Sequence, residues 1–167
     1  MPIETNRPHP TGPYIAVVGA SAATSEEQSF AEEVGRLLAE RQAVLVCGGL
    51  GGVMEAAARG AARAGGTVVG LLPGLDRAAG NPYLSVAIAT GLGEMRNPLV
   101  IRAADGAIAV GGAYGTLSEI AFALRTGTPV VGFETWDFED VVKVPGPVEA
   151  VELVLALAAA TDAAGAE

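Results

Sequence analysis

Short apolar runs alternate with helix-forming segments along most of this chain, and three of the runs lead directly into loops rich in glycine or other small residues. A strand buried on both faces is a short continuous apolar run, and alternation of such strands with helices is typical of a parallel sheet covered by helices. The pattern therefore predicts an α/β fold with a mostly parallel sheet of six to seven strands and helices on both faces. The length, 167 residues, is usual for one domain.

Apolar runs and helical periodicity set the boundaries of the predicted elements. The predicted strands are residues 14–19, 44–47, 67–72, 85–89, 107–110 and 129–133. A helix is predicted to start near Thr24, where Thr24 and Glu27 match a capping box, and other helices are predicted at 53–64, within 94–104, up to 125 and at 148–160. We expect one domain over residues 14–160, a flexible tail at 1–13 and a frayed C-terminus at 161–167.

The charged and reactive residues exclude several classes of function. The net charge is -9 and the basic residues are scattered, which argues against a nucleic-acid partner. One cysteine and one histidine cannot supply a Cys/His zinc site, a disulfide framework or a Ser-His-Asp triad, so no metal site is expected. The only lysine, Lys143, has no glycine loop beside it, which excludes a Walker phosphate loop. Any catalysis would use carboxylates, arginine, hydroxyls and backbone amides.

The sequence also predicts a protein without a membrane segment. The longest run without a charge, residues 78–93, is interrupted by polar residues and proline and is shorter than a membrane-spanning helix. Residues 1–13 hold four prolines and no apolar segment, so they do not match a signal peptide. We therefore expect a cytoplasmic location.

Three loops at predicted strand ends indicate a binding site for an anion. They are residues 19–24, 48–52 and 111–116, and ligands of α/β sheets bind beyond the carboxyl ends of the strands. Glycines let the backbone approach a phosphate, and the free amides and dipole of a helix start attract it. The first loop has no second glycine, and no acidic residue follows the second strand at the expected distance, so the pattern disfavours NAD.

Two charged residues near these loops each allow a structural and a functional interpretation. Thr116 and Glu119 match a capping box, but Glu119 could also bind sugar hydroxyls or orient a water molecule. Arg96 is either a solvated residue at a helix start or a guanidinium that holds a phosphate. Cys47 ends an apolar strand and is predicted to be a buried small hydrophobic residue. Trp136, the only tryptophan, lies in an acidic loop and indicates no role by itself.

Two longer motifs resemble those of a known superfamily. Residues 47–55 (CGGLGGVME), with Gly60-Ala61 and residues 65–70 (GGTVVG), resemble the first signature of the Lonely Guy (LOG-like) superfamily, and residues 105–119 (DGAIAVGGAYGTLSE) resemble its second. The resemblance runs from about residue 14 to 133. It implies a three-layer Rossmann-like fold and a homodimer or homotetramer. Many members are phosphoribohydrolases that release the base from a nucleoside 5′-monophosphate, and the residues that match their catalytic pair are Arg96 and Glu119.

The chain departs from the hydrolase pattern at two places. Gly111-Gly112-Ala113 stands where the hydrolases usually have Pro-Gly-Gly, and Asn97 follows Arg96 where they usually have lysine. Both departures resemble the subgroup that contains molybdenum cofactor carrier proteins, which bind a phosphorylated pterin. Some superfamily members are called lysine decarboxylases, but a pyridoxal enzyme needs a Schiff-base lysine, and Lys143 is distant from the glycine loops along the chain.

Together these inferences predict a binding or carrier protein for a phosphorylated nucleotide or pterin, with the phosphoribohydrolase as the alternative. No cofactor is required, and the molybdenum cofactor or a nucleotide is the expected ligand. The predicted catalytic residues, if the chain is an enzyme, are Arg96 and Glu119. The predicted ligand-binding residues are Gly19, Ser21, Gly48, Gly49, Gly51, Gly52, Met54, Asn97, Gly111, Gly112, Ala113, Tyr114, Gly115 and Thr116.

Overall fold

Seven strands and five α-helices make up the part of the chain that the computed structural model describes, residues 12–165. The tail predicted at 1–13 thus lies almost wholly outside the described residues. The strands are β1 (Tyr14–Gly19), β2 (Val44–Cys47), β3 (Val68–Leu72), β4 (Val86–Ala89), β5 (Gly106–Val110), β6 (Val130–Phe133) and β7 (Val141–Lys143). The helices are α1 (Ser25–Glu40), α2 (Val53–Arg63), α3 (Asn97–Arg102), α4 (Tyr114–Thr126) and α5 (Pro147–Gly165).

The strands form one parallel sheet in the order β4-β3-β2-β1-β5-β6-β7. The chain builds the sheet outward from β1 in one direction and then, from β5, in the other. Helices that follow β1 and β5 therefore leave the sheet on opposite faces, and a crevice opens between the carboxyl ends of these two neighbouring strands. This confirms the predicted sheet, which is entirely rather than mostly parallel.

Alternate residues of the central strands enter two separate cores. In β1, Ile15 and Val17 face the core beneath α1, α2 and α5, whereas Ala16 and Val18 face the core beneath α3 and α4. Side chains on a strand point alternately to the two faces, so a strand buried on both faces must be apolar throughout. The prediction of three layers, with helices on both faces, is confirmed.

Helices α1 and α2 approach each other backbone to backbone at two glycines. A Cβ on Gly35 would overlap the carbonyl of Ala57, and a Cβ on Gly60 would overlap the carbonyl of Glu32. Glycine at both positions therefore allows the two helix axes to approach closely. Around this contact, Arg59 and Arg63 form ion pairs with the carboxylate of Glu32, which adds a polar border to the contact.

The structure confirms one predicted capping box and contradicts the other. Thr24 caps α1: its hydroxyl accepts from the amide of Glu27 at 3.1 Å, and the Glu27 carboxylate accepts from the amide of Thr24 at 2.8 Å. The box predicted for Thr116 is wrong, because α4 starts at Tyr114 and places Thr116 inside its first turn. Ala113 takes the cap position and has no side chain that can accept a hydrogen bond.

Other differences lie at the ends of elements. The three-residue strand β7 was not located from the sequence, since it is too short for a periodic signal. The last helix, α5, extends to Gly165, beyond the predicted end at residue 160. Within residues 12–165, no helix is both long enough and apolar enough to cross a membrane.

Candidate functional site

A cavity of about 390 Å³ opens at the carboxyl ends of the strands, beside the crevice between β1 and β5. Its wall comes from the loops that follow β1, β2, β3 and β5 and from the short 3₁₀ turn that precedes α3. Open α/β sheets bind their ligands at this position. The three glycine- and small-residue loops singled out in the sequence all contribute to the wall.

Two helices start at the cavity without a side-chain cap. The cap positions are Gly52 for α2 and Ala113 for α4, and neither residue has a side-chain acceptor for the first-turn amides, of which that of Val53 donates to the carbonyl of Ala20. Helix α1 differs, because the hydroxyl of Thr24 accepts a hydrogen bond from an amide of its first turn. Uncapped amides together with the positive end of the helix dipole form an anion site, so the two helix starts give the cavity a preference for negative charge.

The loop before α2 needs glycine at two positions for different reasons. Gly52 has a φ of 65°, and a Cβ there would overlap the carbonyls of Ala20 and Ser21. At Gly48, a Cβ would lie 2.6 Å from Nη2 of Arg96 and 2.7 Å from the sulfur of Met54. Gly52 lets the chain turn into α2, and Gly48 leaves space for the side chain of Arg96.

Arg96 is buried, and its guanidinium is anchored by three hydrogen bonds. Its Nε donates to the carbonyl of Leu71 at 2.7 Å, its Nη2 donates to the carbonyl of Gly48 at 3.1 Å, and its Nη1 donates to Oδ1 of Asn97. Burial lowers the pKa of Arg96 below its usual value, against the opposing field of the Glu119 carboxylate. Guanidinium has five N–H groups, so two of them stay available for a ligand in the cavity.

Asn97 connects the arginine to the start of α4. Its Nδ2 lies 3.5 Å from the hydroxyl of Ser118, which donates to the carbonyl of Gly115 at 2.7 Å. Asn97 is buried as the first residue of α3. The amide therefore orients Arg96 on one side and contacts the uncapped helix on the other, without adding a charge.

Glu119 projects into the cavity from the second turn of α4 with only 7% of its surface exposed. Its carboxylate has no hydrogen-bond partner among residues 12–165, and it forms no ion pair within 4.0 Å of Arg96. Burial raises the pKa of Glu119 to about 7, although the positive charge of Arg96 opposes this shift. At neutral pH the side chain is therefore divided between its acid and carboxylate forms.

The cavity has few other charges. Of its lining residues, all within the described chain, Arg96 is the one cation, and Glu94 and Glu119 are the acids. No group of three or more metal-ligating side chains occurs in residues 12–165. Cys47 lies below the site and is fully buried, which raises the pKa of its thiol to about 11, as suits the predicted small hydrophobic residue. Binding of an anion here must depend on the amides, the helix dipoles and Arg96.

The structure brings most of the predicted residues to one cavity. Those that line it are Gly19, Ser21, Gly48, Met54, Arg96, Asn97, Ala113, Gly115, Thr116 and Glu119. The others shape the same loops without lining it, namely Gly49, Gly51, Gly52, Gly111, Gly112 and Tyr114. Ala20 and Leu50 also line it and lie in two of the predicted loops, whereas sequence reasoning missed Val17, Val18, Pro73 and Glu94. Pro73 directly follows β3, so the rule that strand ends form the site could have found it.

The comparisons with known proteins agree with this architecture. A family model described as the SLOG cluster4 family matches residues 12–159, which is most of the chain. The chain belongs to the SLOG cluster4 family. The resemblance to the LOG-like superfamily is therefore confirmed, and with it the Rossmann-like fold.

Within the comparisons, this SLOG cluster4 chain is similar to three individual proteins. The molybdenum cofactor binding protein of Rippkaea orientalis has 33% identity, a TM-score of 0.83, and coverage of 87% of this chain and 97% of that protein. The molybdenum cofactor carrier protein of Chlamydomonas reinhardtii has 32% identity, a TM-score of 0.81, and coverage of 89% and 99%. An uncharacterised Archaeoglobus fulgidus protein is 45% identical over 120 residues, which cover 72% of this chain and 79% of that protein. The two structures confirm the resemblance to the carrier subgroup.

Proposed function

We propose that this chain binds and carries a phosphorylated pterin, such as the molybdenum cofactor, or a phosphorylated nucleotide. The observation that carries the proposal is the meeting of two uncapped helix starts, those of α2 and α4, at one cavity beside the anchored guanidinium of Arg96. Such an arrangement suits a phosphate group. The structural relatives that are molybdenum cofactor binding and carrier proteins support the same class of ligand.

In this proposal the predicted ligand-binding residues have distinct roles. The glycine-containing loops 48–52 and 111–116 turn the chain so that the helix amides reach the phosphate, and Gly19 and Ser21 complete the wall at the end of β1. Arg96 offers its two remaining N–H groups to the ligand. The cytoplasmic location stays a prediction from the sequence.

The protein is expected to retain intact ligand rather than convert it. Molybdenum cofactor released from a denatured molybdoenzyme, and separately guanosine 5′-monophosphate, should each elute with the protein on gel filtration, and the recovered compound should be unchanged by mass spectrometry. Gly52→Ala is the negative control. Its Cβ would overlap two carbonyls at the start of α2 and distort the site, so this variant should bind neither ligand. Failure of both ligands to bind the folded protein would contradict the proposal.

A second candidate function, phosphoribohydrolysis, is favoured by the unpartnered carboxylate of Glu119 in the cavity. When the glycosidic bond breaks, its electron pair leaves with the base and C1′ gains oxocarbenium character. An ionised Glu119 would stabilise that charge and take a proton from the water molecule that adds to C1′, while the departing base takes up a proton from solvent. Asn97, neutral and engaged with Arg96, does not add the positive charge of the hydrolase pattern. Free base and ribose 5-phosphate in the same incubation, lost in Glu119→Gln, would establish this activity.

A homodimer or homotetramer is also part of the proposal. Edge strand β4 exposes Val86 and Ile88, and Met95 is exposed in the segment that follows. Residues 78–93 contain no charge, so two copies of a chain with net charge -9 would meet here with little repulsion. Apolar side chains on an uncharged edge strand favour pairing with another strand.

The edge variant Ile88→Lys should shift the mass measured by light scattering from an oligomer to the monomer. Two lysines brought together in a symmetric contact repel each other and interrupt the apolar surface. Val148→Lys makes the same change at an exposed position on α5 and should leave the mass unchanged. A monomer mass for the unmodified chain at micromolar concentrations would contradict the proposed self-association.

A further inference from the structure

An aromatic pair borders the cavity, in which an exposed tyrosine packs on a half-buried tryptophan. Tyr114, the first residue of α4, is 83% exposed, and the residues on either side of it, Ala113 and Gly115, both line the cavity. Its ring packs on Trp136, with the two ring centroids 6.3 Å apart and an interplanar angle of 29°. A tyrosine that buries so little of its surface contributes little to folding, so its position at the rim calls for another explanation.

Trp136 is held against the same loop in an unusual way. The loop after β6 carries it to Gly112, where a Cβ would lie 3.1 Å from the indole Nε1 and 3.2 Å from the Cβ of Thr116, a residue of the cavity wall. Its Nε1 is buried and has no hydrogen-bond acceptor among residues 12–165. An unsatisfied buried donor costs free energy, and such groups are retained where position matters more than stability. The indole therefore fixes the outer side of the glycine loop and supports the ring of Tyr114.

We propose that Tyr114 is a specificity-determining residue that stacks on the planar heterocycle of the ligand, with Trp136 as the residue that positions it. The inference rests on the proposed function, because it places the phosphate at the start of α4. Tyr114 belongs to that same first turn, so a phosphate bound there brings an attached ring system to the rim beside the tyrosine ring. A fused pyrimidine ring, as in guanine or a pterin, offers a flat face to an aromatic side chain.

Two probes separate the phosphate from the ring. Guanosine 5′-monophosphate carries both, and ribose 5-phosphate carries the phosphate alone. In calorimetric titrations of the full chain, Tyr114→Ala should weaken binding of the nucleotide by roughly fivefold to tenfold, as the loss of one stacking contact predicts, and leave ribose 5-phosphate binding unchanged. Tyr114→Phe keeps the ring and should bind both probes as the unmodified chain does. Phe138→Ala is the matched control. It removes a partly exposed aromatic ring from the same loop that carries Trp136, and it should change the binding of neither probe.

The positioning role of Trp136 has its own measurement. Trp136→Phe keeps an aromatic ring in place, but the smaller ring supports Tyr114 less well. The affinity for nucleotide should therefore fall relative to the affinity for ribose 5-phosphate. General damage to the site would lower both affinities equally. Because Trp136 is the only tryptophan, its fluorescence reports on this corner alone. Nucleotide should change that emission, and ribose 5-phosphate should leave it nearly unchanged.

The outcomes distinguish this inference from the proposal on which it rests. If both probes bind and Tyr114→Ala leaves their affinity ratio intact, the stacking role is overturned while the phosphate site stands. If neither probe binds the folded chain, both the site and the stacking role are overturned. A selective loss of nucleotide affinity in Tyr114→Ala, restored in Tyr114→Phe, supports the inference.

Discussion

Replacing Arg96 with methionine should lower the free energy of unfolding by about 3–5 kcal/mol and abolish binding of guanosine 5′-monophosphate. The guanidinium satisfies the carbonyls of Leu71 and Gly48 and the side-chain oxygen of Asn97. Methionine fills similar volume but leaves these buried acceptors without a donor. The same substitution removes the one cation of the cavity wall, so stability and ligand binding should both decrease.

Denaturant unfolding and calorimetry test this prediction together. Arg96→Lys should recover little of either quantity, because the donors of an ammonium group radiate from one nitrogen and cannot reach three acceptors fixed around a planar guanidinium. Arg125→Met is the control: Arg125 is exposed in the last turn of α4, and its loss should cost less than about 1 kcal/mol. An Arg96→Met protein as stable as the unmodified chain would contradict the structural role assigned to this side chain.

The second large effect concerns pH and Glu119. The pKa of this carboxyl is about 7 in the folded chain and 4.5 in its ordinary state, so between these values the folded chain binds more protons than the unfolded one. The contribution of Glu119 to stability must then fall as the pH rises from 4.5 to 7 and stay at the lower level above 7. Glu119→Gln removes this titration and should raise the free energy of unfolding at pH 8 by up to about 3 kcal/mol, with little change near pH 4.

The same titration should control ligand affinity. Above pH 7 the ionised Glu119 repels a phosphate, so Glu119→Gln should bind ribose 5-phosphate roughly tenfold more tightly than the unmodified chain at pH 8, and nearly equally at pH 5. Glu94→Gln is the matched control. Glu94 lines the same cavity but is exposed to solvent, so this variant should follow the pH dependence of the unmodified chain. Identical pH profiles of stability for the unmodified chain and Glu119→Gln would contradict the raised pKa.

Local signals in the sequence were sufficient to predict the framework of the fold. Continuous apolar runs identified six strands to within a residue or two, since strands buried on both faces have no polar positions and the edge strand β4 is a short apolar run as well. The rule that ligands bind at the carboxyl ends of parallel strands then brought the three loops together. Strand β7 escaped because three residues carry no periodicity.

The details of the site depended on contacts between residues far apart in the chain. Thr116 and Glu119 have the spacing of a cap, but α4 starts three residues earlier than that cap predicts and turns Glu119 into the cavity instead. That Arg96 reaches the carbonyls of Gly48 and Leu71 follows from the packing of the 3₁₀ turn before α3 against β3, which no local pattern records. The contact between Trp136 and Gly112 is of the same kind.

The glycine contact between α1 and α2 has a mechanical consequence. Helices that meet through backbone atoms at Gly35 and Gly60 have no side chains to change rotamer there, so this layer is stiff against sliding. The opposite layer contains a helix of only six residues, α3, which meets α4 through side chains: apolar packing and the hydrogen bond between Asn97 and Ser118. Small adjustments that accompany ligand binding are therefore expected on the α3–α4 side of the cavity rather than between α1 and α2.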